Sequence, residues 1–234
     1  MMKTLCVVVV LSLFSVCQSA SLACEKLLNP LDKGPDLSGS WHIIAVSSEN
    51  CLFTALINAL VLLSAKVNIT SKDTPNTYDT NFKIKIYGYC VSESEPLFYV
   101  NNTLFGLDSN NAPTGDPDVL LQTGCPDCMV LKGVDVISTF LLLSKRKTVS
   151  AAELKEFETQ TECLGWSKPL VLNSDHDYEN CQSLDDDNTD IDTSGLIYQR
   201  LKRTSAESFK CLAENFLSYP RAAFQWAQQF WSKR

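Results

Sequence analysis

Histidine is scarce in this chain: only His42 and His176 occur among 234 residues, and no set of cysteines has the closed spacing of a zinc site. A histidine-rich metal centre and a structural zinc module are excluded on that ground, and no metal ligand is assigned. Glycine is sparse as well, with 9 residues, and no glycine-rich phosphate loop occurs. Basic residues (20) are fewer than acidic ones (27), a net charge of -7 that argues against broad affinity for nucleic acid or anionic membranes. Beyond the first residues, no segment has the length and apolarity of a membrane span. Asp175, Asp177 and the cluster Asp185 to Asp187 lack the glycine-centred spacing of a calcium loop and read as a solvated acidic stretch. Serine, histidine and aspartate are all present, but nothing arranges them as a catalytic triad. No catalytic residue, cofactor or enzyme activity is expected.

What is present begins with MMKTLCVVVVLSLFSVCQSA. Lys3, the apolar run Leu5 to Val16, and the small residues Cys17, Ser19 and Ala20 form the pattern of a secretory signal peptide over 1–19. The mature chain is therefore expected to be soluble and extracellular. Cleavage removes Cys6 and Cys17 and leaves the even set Cys24, Cys51, Cys90, Cys125, Cys128, Cys163, Cys181 and Cys211. In an exported chain such a set reads as disulfides, with connectivity open. Asn68 in Asn-Ile-Thr and Asn101 in Asn-Asn-Thr are glycosylation acceptors if exposed. Cys125-Pro-Asp-Cys128 has the spacing of a redox dithiol. A strand-like Met129-Val130-Leu131 follows it rather than a helix, so structural disulfides are expected there.

Between Trp41 and Arg146 the chain favours strands. Trp41 to Ser47 is β-prone after a turn at Ser38-Gly39. Ser48 to Asn58 is ambiguous, with Leu52, Phe53 and Leu56 able to form a short helix. Leu60 to Ile69 reads as a strand, and Phe82, Ile84 and Ile86 alternate with Lys83, Lys85 and Tyr87. Leu97 to Leu107 reads as one strand and Asp108 to Asp118 as a loop. Val119 to Gln122, Met129 to Lys132 and Val136 to Leu143 complete the series. Many short strands between turns imply an antiparallel sandwich or barrel. The period then changes. Ser150 and Glu153 have capping-box spacing, Leu154, Phe157, Thr161 and Leu164 follow on one helical face, and Gly165 marks the stop. This domain spans 20–184. An acidic linker at 185–203 and an amphipathic helical tail at 204–234 follow. In the tail Phe209, Leu212 and Phe216 share one face, and Phe224, Ala227 and Trp231 another, with Pro220 between them.

Gly39-Ser40-Trp41, the late Lys145-Arg146 and the helix AAELKEFETQTECLGW together resemble the lipocalins. The order of Cys24, Cys90, Cys163 and Cys181, with YCVSESEPLFYV, TECL and YENC, is similar to the apolipoprotein M group. The α1-acid glycoproteins and the fish saxitoxin/tetrodotoxin-binding proteins share that layout. The resemblance covers Cys24 to Cys181 and departs from the family at Asp116-Pro117-Asp118, where the tyrosine of an Asp-x-x-Tyr-like turn is missing. It implies an up-and-down, antiparallel, eight-stranded β-barrel, a calyx with one docked α-helix, to which the C-terminal helical tail is added. It further implies that Trp41, after Gly39, closes one end under Arg146, with Lys145 as the alternative partner. The cation over an indole face would be attracted by the ring quadrupole. Disulfides Cys24–Cys163 and Cys90–Cys181 follow from the same resemblance. The remaining cysteines are assigned one bond from Cys51 to the 125/128 turn and one from Cys211 to the other cysteine there.

A calyx buries a small ligand while its strands stay hydrogen-bonded. Inward candidates are Phe82, Ile84 and Ile86, or the opposite parity, Lys83, Lys85 and Tyr87; Phe98, Val100, Leu104 and Phe105 also qualify. The resemblance implies a secreted carrier of a small hydrophobic or amphipathic molecule, either a lipid or a basic drug- or toxin-like compound. The alternative is an extracellular interaction protein whose aromatic tail, Phe209 to Trp231, binds a protein partner or lipoprotein surface.

Overall fold

The alternation read between Trp41 and Arg146 becomes eight strands that close on themselves. The computed structural model describes residues 22–31, 34–60, 63–86, 89–134, 138–172, 178 and 181–183. The expected leader 1–19, linker 185–203 and helical tail 204–234, together with Tyr87 and Cys211, lie outside the described residues. A short helix α1 (22–27) precedes β1 (Gly39–Ser48), α2 (Cys51–Leu60), β2 (Leu63–Ser71), β3 (Thr77–Ile86) and β4 (Tyr89–Val100). Then follow β5 (Thr103–Leu107), β6 (Pro113–Leu121), β7 (Cys128–Val134), β8 (Ser138–Ser144), α3 (Ala151–Cys163), β9 (Leu170–Val171) and β10 (Gln182–Ser183). The strands run in the order β4-β3-β2-β1-β8-β7-β6-β5, and β5 pairs back with β4, so the antiparallel barrel is closed. Closure removes most of the sheet edge and leaves Val91 to Pro96 of β4 and the first half of β6 with one ladder partner each. β9 adds to β1, and β10 lies parallel to the start of β4. Among the described residues no helix is long and apolar enough to cross a membrane.

Two sequence expectations change here. Leu97 to Leu107 is not one strand but the end of β4, a turn and β5. Asn101 and Asn102 take φ values of 50° and 61°. Asparagine tolerates that left-handed region, and two such residues make the tight hairpin turn whose twist suits its strands. Asp108 to Asp118 is not all loop either, since β6 starts at Pro113. The prolines fit because β7 pairs with β6 only at Val119 to Leu121, so the earlier half of β6 has one ladder partner, β5. The ambiguous segment after Ser48 is helix α2, at the end of β1 remote from Trp41.

The wall of the barrel separates two cores. The outer one forms where α3 lies on β1, β6, β7 and β8, with Phe157, Phe140, Leu142, Val130, Leu121 and Ile44 buried together. Phe140 stacks on Phe157 at 5.0 Å and meets Trp166 edge-on at 6.1 Å. α3 begins as its sequence indicates: Ser150 Oγ accepts from the Glu153 amide, and Glu153 Oε2 accepts from the Ser150 amide at 2.7 Å. It stops before Gly165, whose φ of 70° suits glycine. Cys24–Cys163 fastens α1 to the end of α3, and Cys90–Cys181 fastens the segment beyond β9 to the start of β4. These are the two pairs that the family resemblance implies.

Gln160 is fully buried, and its Nε2 donates to Leu27 O at 2.9 Å and to Gln122 O at 2.8 Å. One side chain thus ties α1, the end of β6 and α3. Gln160→Leu fills the same space and removes the unpartnered buried Gln160 Oε1, but it takes the donor from two part-buried carbonyls, each costing up to about 1–3 kcal/mol if left unsatisfied. A loss of about 2 kcal/mol in urea unfolding is expected, and an unchanged midpoint would contradict this role.

Candidate functional site

Residues directly opposite across an antiparallel ladder share a face, so the register sorts inner from outer side chains. Trp41 lies opposite Val67, Val67 opposite Phe82, and Phe82 opposite Glu93. Likewise Ala65, Ile84 and Val91 form one row, and Ile69, Thr80 and Glu95 the next. Tyr99, Leu104 and Asp118 form another, as do Leu120, Leu131 and Leu141. All stand on the face away from α3, which is the interior.

The floor is built on Trp41. It is 3% exposed, and its Nε1 donates to Leu37 O at 2.8 Å. Gly39, at φ 121°, brings the chain in where a side chain would be strained and would meet Lys145 Cε at 3.8 Å. Lys145 Nζ lies 4.9 Å from the centre of the Trp41 ring. The cation on the indole is therefore Lys145 and not Arg146, which corrects the expected pairing. The reason is strand period: Leu141 and Leu143 point inward, so the next odd position, 145, continues onto the floor. Arg146 turns the other way, with its Nη2 2.7 Å from Glu153 Oε1 and its Nε 3.6 Å from Asp127 Oδ2. The Ser150 amide first, and then Arg146, hold the Glu153 carboxyl below its ordinary pKa.

Above Trp41 the lower interior is filled by Leu37, Val67, Ile69, Leu104, Leu120 and Met129. Tyr78 and Tyr99 meet edge-to-face at 6.5 Å. Burial, with Tyr78 adding to it, raises the Tyr99 phenol above its usual pKa. Its OH donates to Asn102 Oδ1 at 2.9 Å, and Asn102 Nδ2 donates to Leu31 O, so the hairpin turn fastens the N-terminal segment under the barrel.

Of the sequence candidates, Phe82, Ile84 and Ile86 take the inner parity, whereas Lys83 and Lys85 take the outer. Phe98 and Phe105 pair with each other on the outer face, and Val100 shares it; these three are corrected from lining to exterior positions. The two-residue turn at Asn101-Asn102 sets that register and sends Leu97, Tyr99 and Leu104 inward instead. Lys66 and Lys132 are also outward: Lys66 Nζ lies 4.6 Å from the Tyr178 ring centre, and Lys132 pairs with Phe140 of the outer core.

Sequence reasoning missed the inward acids. Glu93 and Glu95 have the inner parity on a stretch of β4 above its last β5 partner, Leu97, and are exposed to solvent. Asp118 is half-buried. A Cβ built on Gly133 would stand 3.0 Å from both Asp118 Oδ1 and Thr139 Oγ1, so glycine there makes room for the carboxylate. The signal was the alternation Ser92-Glu93-Ser94-Glu95, which is mute until its face is known. Among the described strand residues, every lysine faces out while these three acids have the inward parity. Among the described residues no three His, Cys, Asp or Glu side chains converge to hold a metal ion.

The third described disulfide, Cys125–Cys128, corrects the guess that Cys51 and Cys211 bond to that turn. Cys51 is disulfide-bonded to a residue outside the described ones. Asn101 is exposed at its turn, and Asn68 is half-buried on the outer face of β2.

A family model described as the ApoM domain matches residues 4–186. No curated protein matches the chain. Among solved structures, lipocalin 12 from rat epididymis is 11% identical over 62% of this chain and 89% of its own, with a TM-score of 0.51. A dog lipocalin allergen is 19% identical over 63% of this chain and 98% of its own, with a TM-score of 0.44. The siderocalin Ex-FABP is 14% identical over 58% and 93%, with a TM-score of 0.47. At such identities the likeness concerns the fold alone.

Proposed function

We propose, from the premise that this chain belongs to the ApoM-domain family of lipocalin barrels, that it carries one amphipathic molecule with a cationic head group. The closed barrel and the family support a small-molecule carrier role in general, in a fold that is generally non-catalytic. Family membership likewise supports an extracellular location in general.

The single observation that carries the finer reading is the placement of the strand charges: the described strand lysines all face out, and of the acids Asp79 faces out with them while three have the inner parity. Asp118, Glu93 and Glu95 have the inner parity, while Lys66, Lys83, Lys85 and Lys132 have the outer. The apolar body of the ligand would lie along Phe82, Ile84, Ile86 and Val91. Its dehydration supplies most of the affinity, at about 25 cal/mol per Å² of apolar surface. A cationic end near Asp118 or the two glutamates would gain charge attraction, and an anionic end would be repelled. The leader at 1–19, glycans at Asn68 and Asn101, and a protein or lipoprotein contact through the tail 204–234 remain separate proposals. Truncation after Asp192 tests the last of these: it should abolish partner binding and leave ligand affinity unchanged.

The test of the head-group reading uses dodecylamine and dodecanol as probes, displacing a fluorescent reporter. Asp118→Asn combined with Glu93→Gln and Glu95→Gln should weaken the amine by about 10–100-fold, the equivalent of about 1–3 kcal/mol. The alcohol should stay within about threefold. Equal losses for both probes, or none for the amine, would overturn the reading.

A further inference from the structure

Cys125-Pro126-Asp127-Cys128 is the chain's only Cys-x-x-Cys spacing, and the carrier function leaves it unused. It links the end of β6 to the start of β7 beside the barrel floor. Its two sulfurs are unequal. Cys125 is 3% exposed, whereas Cys128 is half-buried. Arg146 Nη2 lies 3.1 Å from Cys125 Sγ and 3.9 Å from Cys128 Sγ. A helix start at the first cysteine is the usual source of positive potential for such a pair. Here a guanidinium from the end of β8 stands in its place. We propose that Cys125–Cys128 is a thiol–disulfide exchange site that takes a low-molecular-weight thiol at Cys128, with the Cys125 sulfur leaving against Arg146.

The chemistry balances as follows. The incoming thiolate attacks Cys128 Sγ, the mixed disulfide forms, and the Cys125–Cys128 bond breaks with its electron pair on Cys125. That thiolate is held by the charge-assisted contact to Arg146. A second thiol attacks the small-molecule sulfur of the mixed disulfide, releases the oxidised dimer and leaves Cys128 as thiolate. Two thiols are oxidised to one disulfide, one protein disulfide is reduced by two electrons to a pair of thiolates, and the thiols' two protons are released to solvent.

Position in the chain sets this bond apart from the others. The native fold strengthens a disulfide to the extent that the disulfide strengthens the fold. That reinforcement grows with the loop enclosed. Cys125–Cys128 spans a separation of 3 residues, against 139 for Cys24–Cys163 and 91 for Cys90–Cys181. Opening it leaves the floor fastened, since Lys145 rather than Arg146 covers Trp41.

The experiment incubates the full chain with graded reduced glutathione, traps thiols with iodoacetamide and maps the adducts by mass spectrometry. A glutathione adduct on Cys128 and alkylation on Cys125 are expected at concentrations that leave Cys24–Cys163 and Cys90–Cys181 closed. Arg146→Gln should slow opening by about tenfold. Glu153→Gln keeps a capping residue but removes the carboxylate that shares the guanidinium, so opening should quicken by about threefold. Loss of fold would quicken both variants. The proposal is overturned if the two variants move together or not at all, or if the longer loops open first.

Discussion

Trp41→Ala should lower stability by about 3–5 kcal/mol, the range for deleting a large buried aromatic. For a domain of this size each kcal/mol moves the melting temperature by about 2–4 °C, so a fall of roughly 10–15 °C is expected in calorimetry. The size of the effect follows from what the indole does. It is 3% exposed, fills the floor with Leu37 and Val67, and spends its N–H on Leu37 O at 2.8 Å. Truncation removes apolar burial, opens a cavity and strands that carbonyl together. Lys145→Met removes only the cation over the ring and should cost about 0.5–1 kcal/mol. A melting temperature for Trp41→Ala within about 3 °C of the parent would mean that the floor does not hold the barrel closed.

The second large effect is expected from Cys24→Ser with Cys163→Ser. The bond spans a separation of 139 residues, and the chain-entropy relation gives about 5 kcal/mol for a loop of that length. It also fixes α1 against the end of α3, where Gln160 takes Leu27 O as a partner. The same relation gives about 2 kcal/mol for Cys125→Ser with Cys128→Ser, whose loop separation is 3. Thermal unfolding of the two double variants measures the difference directly. The first should melt well below the second, and the reverse order would show that long-range stapling is not what these bonds contribute.

Much of this fold is written locally. The capping box at Ser150 and Glu153 and the stop at Gly165 concern residues three or fewer apart, or a single backbone angle, so sequence spacing reveals them. The alternation from Phe82 to Ile86 reveals a strand but not its orientation, because period two is the same from either side. Only the pairing of Phe82 with Val67, and of Val67 with Trp41, decides which parity is inside. The Leu97 to Leu107 stretch reads as one strand because two asparagines between the β-formers Val100 and Thr103 look like strand until both are seen at positive φ. That turn fixes the register, and with it the outward placement of Phe98, Val100 and Phe105. Arg146 and Lys145 are neighbours, and the choice between them rests on the strand period carried down from Leu141. Asp118 escaped notice for a different reason: its pocket is made by the missing side chain of Gly133, a residue of another strand.

The measurement that bears most directly on the central claim is native mass spectrometry of the glycosidase-treated protein with equimolar dodecylamine and dodecanoate. The two share a chain length and differ in the sign of the head group. A one-to-one complex carrying the amine in large excess over the carboxylate is the expected result, and it should fade in the Asp118→Asn, Glu93→Gln, Glu95→Gln variant. A complex that carries dodecanoate preferentially, or both probes equally, would contradict the assignment of the inner acids to a cationic ligand.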